Sequence, residues 1–159
     1  ALVAAAIGSQ GMVGGQVGDL EATGAVAVAA APGAGERLDR IHRAKTGALI
    51  AAAVELGALA AGVGATQRHV WRELGERLGL LFQIADDILD VTGTAESLGK
   101  SPGKDAAAGK LTYPAVHGLE AARGRLAALA GELAAAARAL EGENGVLTAI
   151  VEYVAQRDR

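Results

Sequence analysis

Phe82-Gln83-Ile84-Ala85-Asp86-Asp87-Ile88-Leu89-Asp90 sets three carboxylates inside an otherwise apolar run. Leu80, Leu81, Phe82, Ile84, Ile88, Leu89 and Val91 recur at helical spacing, and the pattern predicts one long helix over His69–Thr92. On that helix Asp86 and Asp90 stand one turn apart on one face. Gln83 lies one turn before Asp86, and Asp87 sits three residues before Asp90. Aspartate is a poor residue in mid-helix because its side chain competes for backbone hydrogen bonds. Like charges within one turn also repel. A cation bound to the cluster would relieve both costs. Oxygen ligands with no His or Cys nearby suit Mg²⁺, or Mn²⁺, rather than zinc. Mg²⁺ commonly takes one or two carboxylates together with phosphate oxygens. A solvated acidic face is the plainer interpretation, but the apolar neighbours leave little room for one.

Outward from this segment the chain reads as helix after helix. Ala1–Thr23 has apolar residues at helical spacing, broken by Gly8, Gly11, Gly14 and Gly15. A glycine inside a helix costs about 1 kcal/mol against alanine, so close packing or ligand access must account for four of them. Gly24–Gly35 reads as a loop, Glu36–Gly62 as a helix and Gly64–Gln67 as a break. Glu96–Tyr113 is irregular, Pro114–Leu140 helical with proline in the first turn, Glu141–Gly145 a break and Val146–Gln156 a last helix. Strand-type runs rich in Val, Ile, Tyr and Phe are missing. The expected fold is all-α, with residues 1–159 forming part of one domain.

Bulk composition excludes several classes. The chain has 159 residues, 51% hydrophobic and 21% charged, so a folded globular chain is expected. A net charge of −3 implies no broad basic face, hence no nucleic-acid partner. Without cysteine there is no disulfide, thiolate metal site or cysteine nucleophile. No apolar run approaches the roughly 20 residues of a membrane span. The first residues, ALVAAAI, lack a basic leader segment and an initiating methionine, and read as a helix entered partway, expected of a piece of a longer chain.

Three further segments carry polar groups suited to an anion. Leu98-Gly99-Lys100-Ser101-Pro102-Gly103-Lys104-Asp105, with Lys110 after it, follows the aspartate helix directly, so metal and lysines could clamp a diphosphate from two sides. It is not a P-loop, since no strand precedes it and the spacing differs. In His42-Arg43-Ala44-Lys45-Thr46-Gly47, Lys45 falls on an apolar helical stripe, where it must either find a counter-ion or snorkel to solvent. In Gly14-Gly15-Gln16-Val17-Gly18-Asp19, Gln16 and Asp19 share a helix face beside glycines that suit a cavity wall.

Together the four segments resemble the trans-isoprenyl diphosphate synthases, the farnesyl and geranylgeranyl diphosphate synthases. FQIADDILD is similar to their second aspartate-rich motif, IHRAKTGALI to their KTG helix and GGQVGDL to their GQ-x-x-D segment. LGKSPGKDAAAGKLTYP resembles the loop that follows the second motif, and Gln156-Arg157-Asp158-Arg159 the usual basic tail. The resemblance implies an antiparallel helix bundle of the isoprenoid synthase type, here its C-terminal half. It implies Mg²⁺-dependent head-to-tail condensation of isopentenyl diphosphate with an allylic diphosphate. Asp86, Asp87, Asp90 and Asp19 would be metal ligands. Lys45, Lys100, Lys110 and Gln16 would bind diphosphate. Lys45, Thr46 and Gln83 would line the pocket where positive charge develops.

Complete family members carry another aspartate-rich motif, with nearby arginines, in their first half, and nothing here matches it. The chain is therefore expected to be inactive alone. A non-catalytic regulatory subunit binding a full-length synthase is the alternative; a terpene cyclase of related fold and a ligand-free helical protein fit the motifs less well. With no targeting segment in the sequence given, a soluble protein of cytoplasm or plastid stroma is expected, and the resemblance implies a family that is usually homodimeric.

Overall fold

In a computed structural model of the chain, the described residues are 1–23, 29, 31–93, 109–143 and 145–157. Lys100, most of the glycine-rich lysine stretch, and Asp158 and Arg159 of the tail lie outside them. Among the described residues every regular element is helical: α1 (Leu2–Ile7), α2 (Met12–Glu21), α3 (Ala34–His42), α4 (Ala48–Ala60), α5 (Ala65–Thr92), α6 (Tyr113–His117), α7 (Leu119–Glu141) and α8 (Val146–Gln156). A π turn, Arg43–Gly47, joins α3 to α4 without a break.

Several expected boundaries shift for local reasons. The first helix is two, because Gly8–Gly11 forms a corner. A Cβ on Gly11 would stand 2.0 Å from the Ala6 carbonyl oxygen, a contact only glycine permits. The break expected at Gly64–Gln67 is shorter: Gly64 is the cap and Ala65, Thr66 and Gln67 already belong to α5. Pro114–Leu140 is divided at Gly118, whose φ of 83° ends α6 and turns the chain into α7.

The long helix α5 is the spine. Gly75 backs onto Ala51 and Gly79 onto Gly47, so numbers fall along one helix as they rise along the other. The pair is antiparallel, as a four-residue connection requires. Arg72 pairs with Glu55 across the same seam at 3.1 Å. On the other side Leu80, Leu81 and Ile84 of α5 share the core with Leu129 and Leu133 of α7 and Val151 of α8. All six are almost fully buried, each such side chain contributing roughly 1.5–3 kcal/mol. Glu141 folds the chain back by accepting the Thr148 amide at 2.8 Å, satisfying an orphan donor at the start of α8. Helix α8 thereby carries Arg157 to the aspartate face of α5.

Candidate active site

The site is built where α2, the π turn and α5 meet. A π turn bonds i to i+5 and inserts one extra residue into a helix. Here two glycines grip it. A Cβ on Gly15 of α2 would stand 2.2 Å from the Lys45 nitrogen, and one on Gly79 of α5 would stand 2.4 Å from the Gly47 Cα. Backbone thus meets backbone on both sides, and Lys45 and Thr46 are carried to opposite neighbours. Lys45 Nζ donates to Asp19 Oδ2 at 2.7 Å. Thr46 Oγ1 donates to Gln83 Oε1 at 3.0 Å. The counter-ion that Lys45 requires on an apolar stripe is therefore Asp19, and Lys45 does not simply snorkel. Gln16, one turn before Asp19, is exposed.

One turn beyond Gln83 the aspartates divide. The Asp86 carboxylate is 46% exposed and pairs with Arg157, whose Nη2 lies 3.2 Å from Oδ1. Asp90 is buried on the same stripe. Asp87 turns into the fold instead. Its Oδ2 accepts the Tyr113 amide at 2.9 Å, tying the start of α6 to α5. Tyr113 stacks on His42 with ring centroids 5.8 Å apart, and its hydroxyl donates to Asp39. Burial, reinforced by that bond to Asp39, pushes the Tyr113 phenol well above its ordinary range. Lys110 is half-buried just before α6.

His42 lies inside this second layer. Burial lowers its pKa to about 4, outweighing the pull of Asp19. Its Nε2 is 3.7 Å from Asp87 Oδ2, beyond hydrogen-bond reach, so near neutral pH the ring is an uncharged packing group. The unfolded chain takes up a proton near pH 6.5 and the folded chain only near 4. Stability attributable to His42 is therefore complete above 6.5 and lost as pH falls toward 4. Urea unfolding followed by circular dichroism should show a difference of about 3 kcal/mol developing across that window between the native chain and His42→Phe. The variant's curve should be the flatter.

The sequence assigns Asp86, Asp87, Asp90, Asp19, Gln83, Thr46, Lys45, Gln16, Lys100 and Lys110 to one site. The fold brings together the three helices that carry Asp86, Asp90, Gln83, Thr46, Lys45 and Asp19, and turns Asp87 inward to the Tyr113 amide; Lys100 lies outside the described residues. Sequence reasoning missed Tyr113, Asp39 and His42 behind Asp87, and Arg157 in front of Asp86. The Tyr-Pro, His-Arg and C-terminal tail segments contain three of these residues, Tyr113, His42 and Arg157, but no periodicity shows that they touch.

The donor set suits a hard cation shared with a ligand. Among the described residues no group of three or more His, Asp or Glu side chains is gathered closely enough to hold a metal unaided. Asp86 nevertheless offers an accessible carboxylate, as Mg²⁺ requires when phosphate oxygens complete its shell. The described residues thus place, on one all-helical wall, aspartates one turn apart, a lysine on an inward stripe and a threonine–glutamine pair.

Known proteins place the chain in a family. The polyprenyl synthetase family pattern matches residues 3–150. The chain is 44% identical over 161 residues to the farnesyl diphosphate synthase of Escherichia coli K12, covering 99% of this chain and 52% of that enzyme. It is 41% identical over 160 residues to the chloroplastic geranylgeranyl pyrophosphate synthase of Capsicum annuum, covering 98% of this chain and 41% of that enzyme. A geranyltransferase from Helicobacter pylori, solved with magnesium and isoprenyl diphosphate, superposes with a TM-score of 0.77 at 28% identity over 96% of this chain and 48% of that one. The chain belongs to the polyprenyl synthetase family, and it spans about half the length of the curated relatives it matches.

Proposed function

We propose that this chain supplies the allylic-diphosphate wall of a Mg²⁺-dependent prenyltransferase that makes farnesyl or geranylgeranyl diphosphate, and that it is inactive alone. The observation that carries this is the joint placement of Lys45–Asp19, Thr46–Gln83 and solvent-open Asp86 around one π turn. Asp86, which solvent reaches, is the residue to receive magnesium first, with Asp19 and the buried Asp90 on the same wall to complete its hold. Asp87 supports them by fixing α5 to α6. Bound magnesium would draw electron density from the diphosphate and help it leave.

The remaining steps fall to the chain's own groups. Lys45 and Lys110, with Gln16 and Lys100, neutralise the diphosphate. As the allylic C–O bond breaks, its electron pair leaves with the diphosphate and positive charge appears on carbon. Thr46 Oγ1 keeps its lone pairs after donating to Gln83, and the two side-chain oxygens present a preorganised negative edge to that charge. The π electrons of isopentenyl diphosphate then form the new C–C bond, and the departing diphosphate takes the released proton.

The exposed apolar side chains of α2 support the view that a further half is needed. Val13, Val17 and Leu20 share one face and are each about half exposed or more, as expected of a surface that another segment covers. In the relatives the additional length would supply that segment and the isopentenyl diphosphate site. Calorimetric titration with inorganic pyrophosphate tests the binding half of the proposal. Binding that requires Mg²⁺ supports it. Equal binding with and without Mg²⁺, or none in either condition, contradicts it.

A further inference from the structure

Arg157 stands against the one aspartate of the motif that solvent reaches, and its side chain is only 11% exposed. Three contacts hold it. The guanidinium carbon lies 4.1 Å over the Phe82 ring, Nη2 donates to the Phe82 carbonyl at 3.2 Å, and the same nitrogen donates to Asp86 Oδ1 at 3.2 Å. Guanidinium over an aromatic face is attracted by the ring quadrupole, the more so when desolvated. Arg157 Nε is buried without a hydrogen-bond partner among the described residues. The guanidinium is thus the fixed member of the pair and the carboxylate the open one. Its bond to Asp86 is single, not the bidentate fork that would occupy both oxygens.

A divalent cation arriving at Asp86 therefore meets a resident positive charge that does not readily move away. A cation arriving with a diphosphate does not meet the same obstacle, because the anion compensates both positive centres. We propose that Arg157 is a positioning residue that makes metal loading at Asp86 conditional on diphosphate: it weakens the site for the bare cation while leaving it competent for the metal–diphosphate complex. This rests on the assignment of Asp86 as a metal ligand, and the variants below separate the two.

The test uses the full chain. Binding of Mn²⁺ alone is followed by the electron paramagnetic resonance of the free ion, and binding of preformed Mn²⁺–pyrophosphate by calorimetry. Arg157→Gln should bind bare Mn²⁺ about tenfold more tightly than the native chain, within the usual range of coupling between sites. It should gain nothing for Mn²⁺–pyrophosphate. Arg157→Lys, which keeps the charge, should restore the native preference. A merely structural role for Arg157 predicts the opposite sign, since a loosened site binds every ligand less well. Unchanged or weaker Mn²⁺ binding by Arg157→Gln overturns the inference alone. Native Mn²⁺–pyrophosphate binding by Asp86→Asn would instead overturn the assignment of Asp86 as a ligand, and the inference with it.

Discussion

Asp86→Asn should lose Mg²⁺-dependent pyrophosphate binding by at least about a hundredfold, since even residues that only support a metal ligand are worth ten- to a hundredfold. The substitution keeps the side chain's shape and removes its charge. It should cost little stability, because the carboxylate is nearly half exposed and its pair with Arg157 is a single contact. Asp87→Asn should behave in the reverse sense. Asp87 is buried and accepts the Tyr113 amide, and weakening a buried charged acceptor costs roughly 1–3 kcal/mol. Calorimetry and thermal unfolding on both variants check this. Equal effects of the two on binding would sink the division of labour between adjacent aspartates.

The second large effect is steric. Gly79→Ala should destabilise the chain by about 2 kcal/mol or more, although alanine is the better helix former by about 1 kcal/mol. The new Cβ would stand 2.4 Å from Gly47 Cα and 2.9 Å from Gly47 N, where neither backbone can yield without separating α5 from the π turn. Overpacking of a close-packed site commonly costs about 1–3 kcal/mol, occasionally more, and here it outweighs the propensity gain. Gly131→Ala in α7 is the control. Nothing lies within 4 Å of its Cβ position, so the same substitution should stabilise by about 0.5–1 kcal/mol. Urea unfolding of the two variants should therefore move in opposite directions.

These two predictions mark where the sequence was informative. The helix carrying Asp86 and Asp90 was legible because seven apolar residues crowd into it, although Val91 among them is exposed and Asp87 and Asp90 are buried. Lys45 was legible as a charge on an apolar stripe and Asp19 as a polar residue sharing a face with Gln16 beside glycines, and their ion pair answers the cost that made Lys45 conspicuous. Gly15 was noticed as a residue needing a reason, but the reason, backbone contact with Lys45, depends on a helix 30 residues away. The π turn was not legible because the residues around it, Ala44, Gly47 and Ala48, are too small to show the one-residue shift of the apolar stripe that the insertion causes. The Asp87–Tyr113–His42 layer and the hold of Arg157 on Phe82 are long-range contacts. Helical periodicity gives the face of each residue but not the partner that covers it.

The central claim is that this chain forms one half of a prenyl-transfer site. Incubation with Mg²⁺, isopentenyl diphosphate and geranyl diphosphate tests it directly, with the purified chain alone and after mixing with the N-terminal half of the Escherichia coli farnesyl diphosphate synthase. Prenyl product only after mixing, and none with Asp86→Asn, is the predicted result. Product from the chain alone, or no product after mixing with a folded N-terminal half that binds it, would contradict the claim.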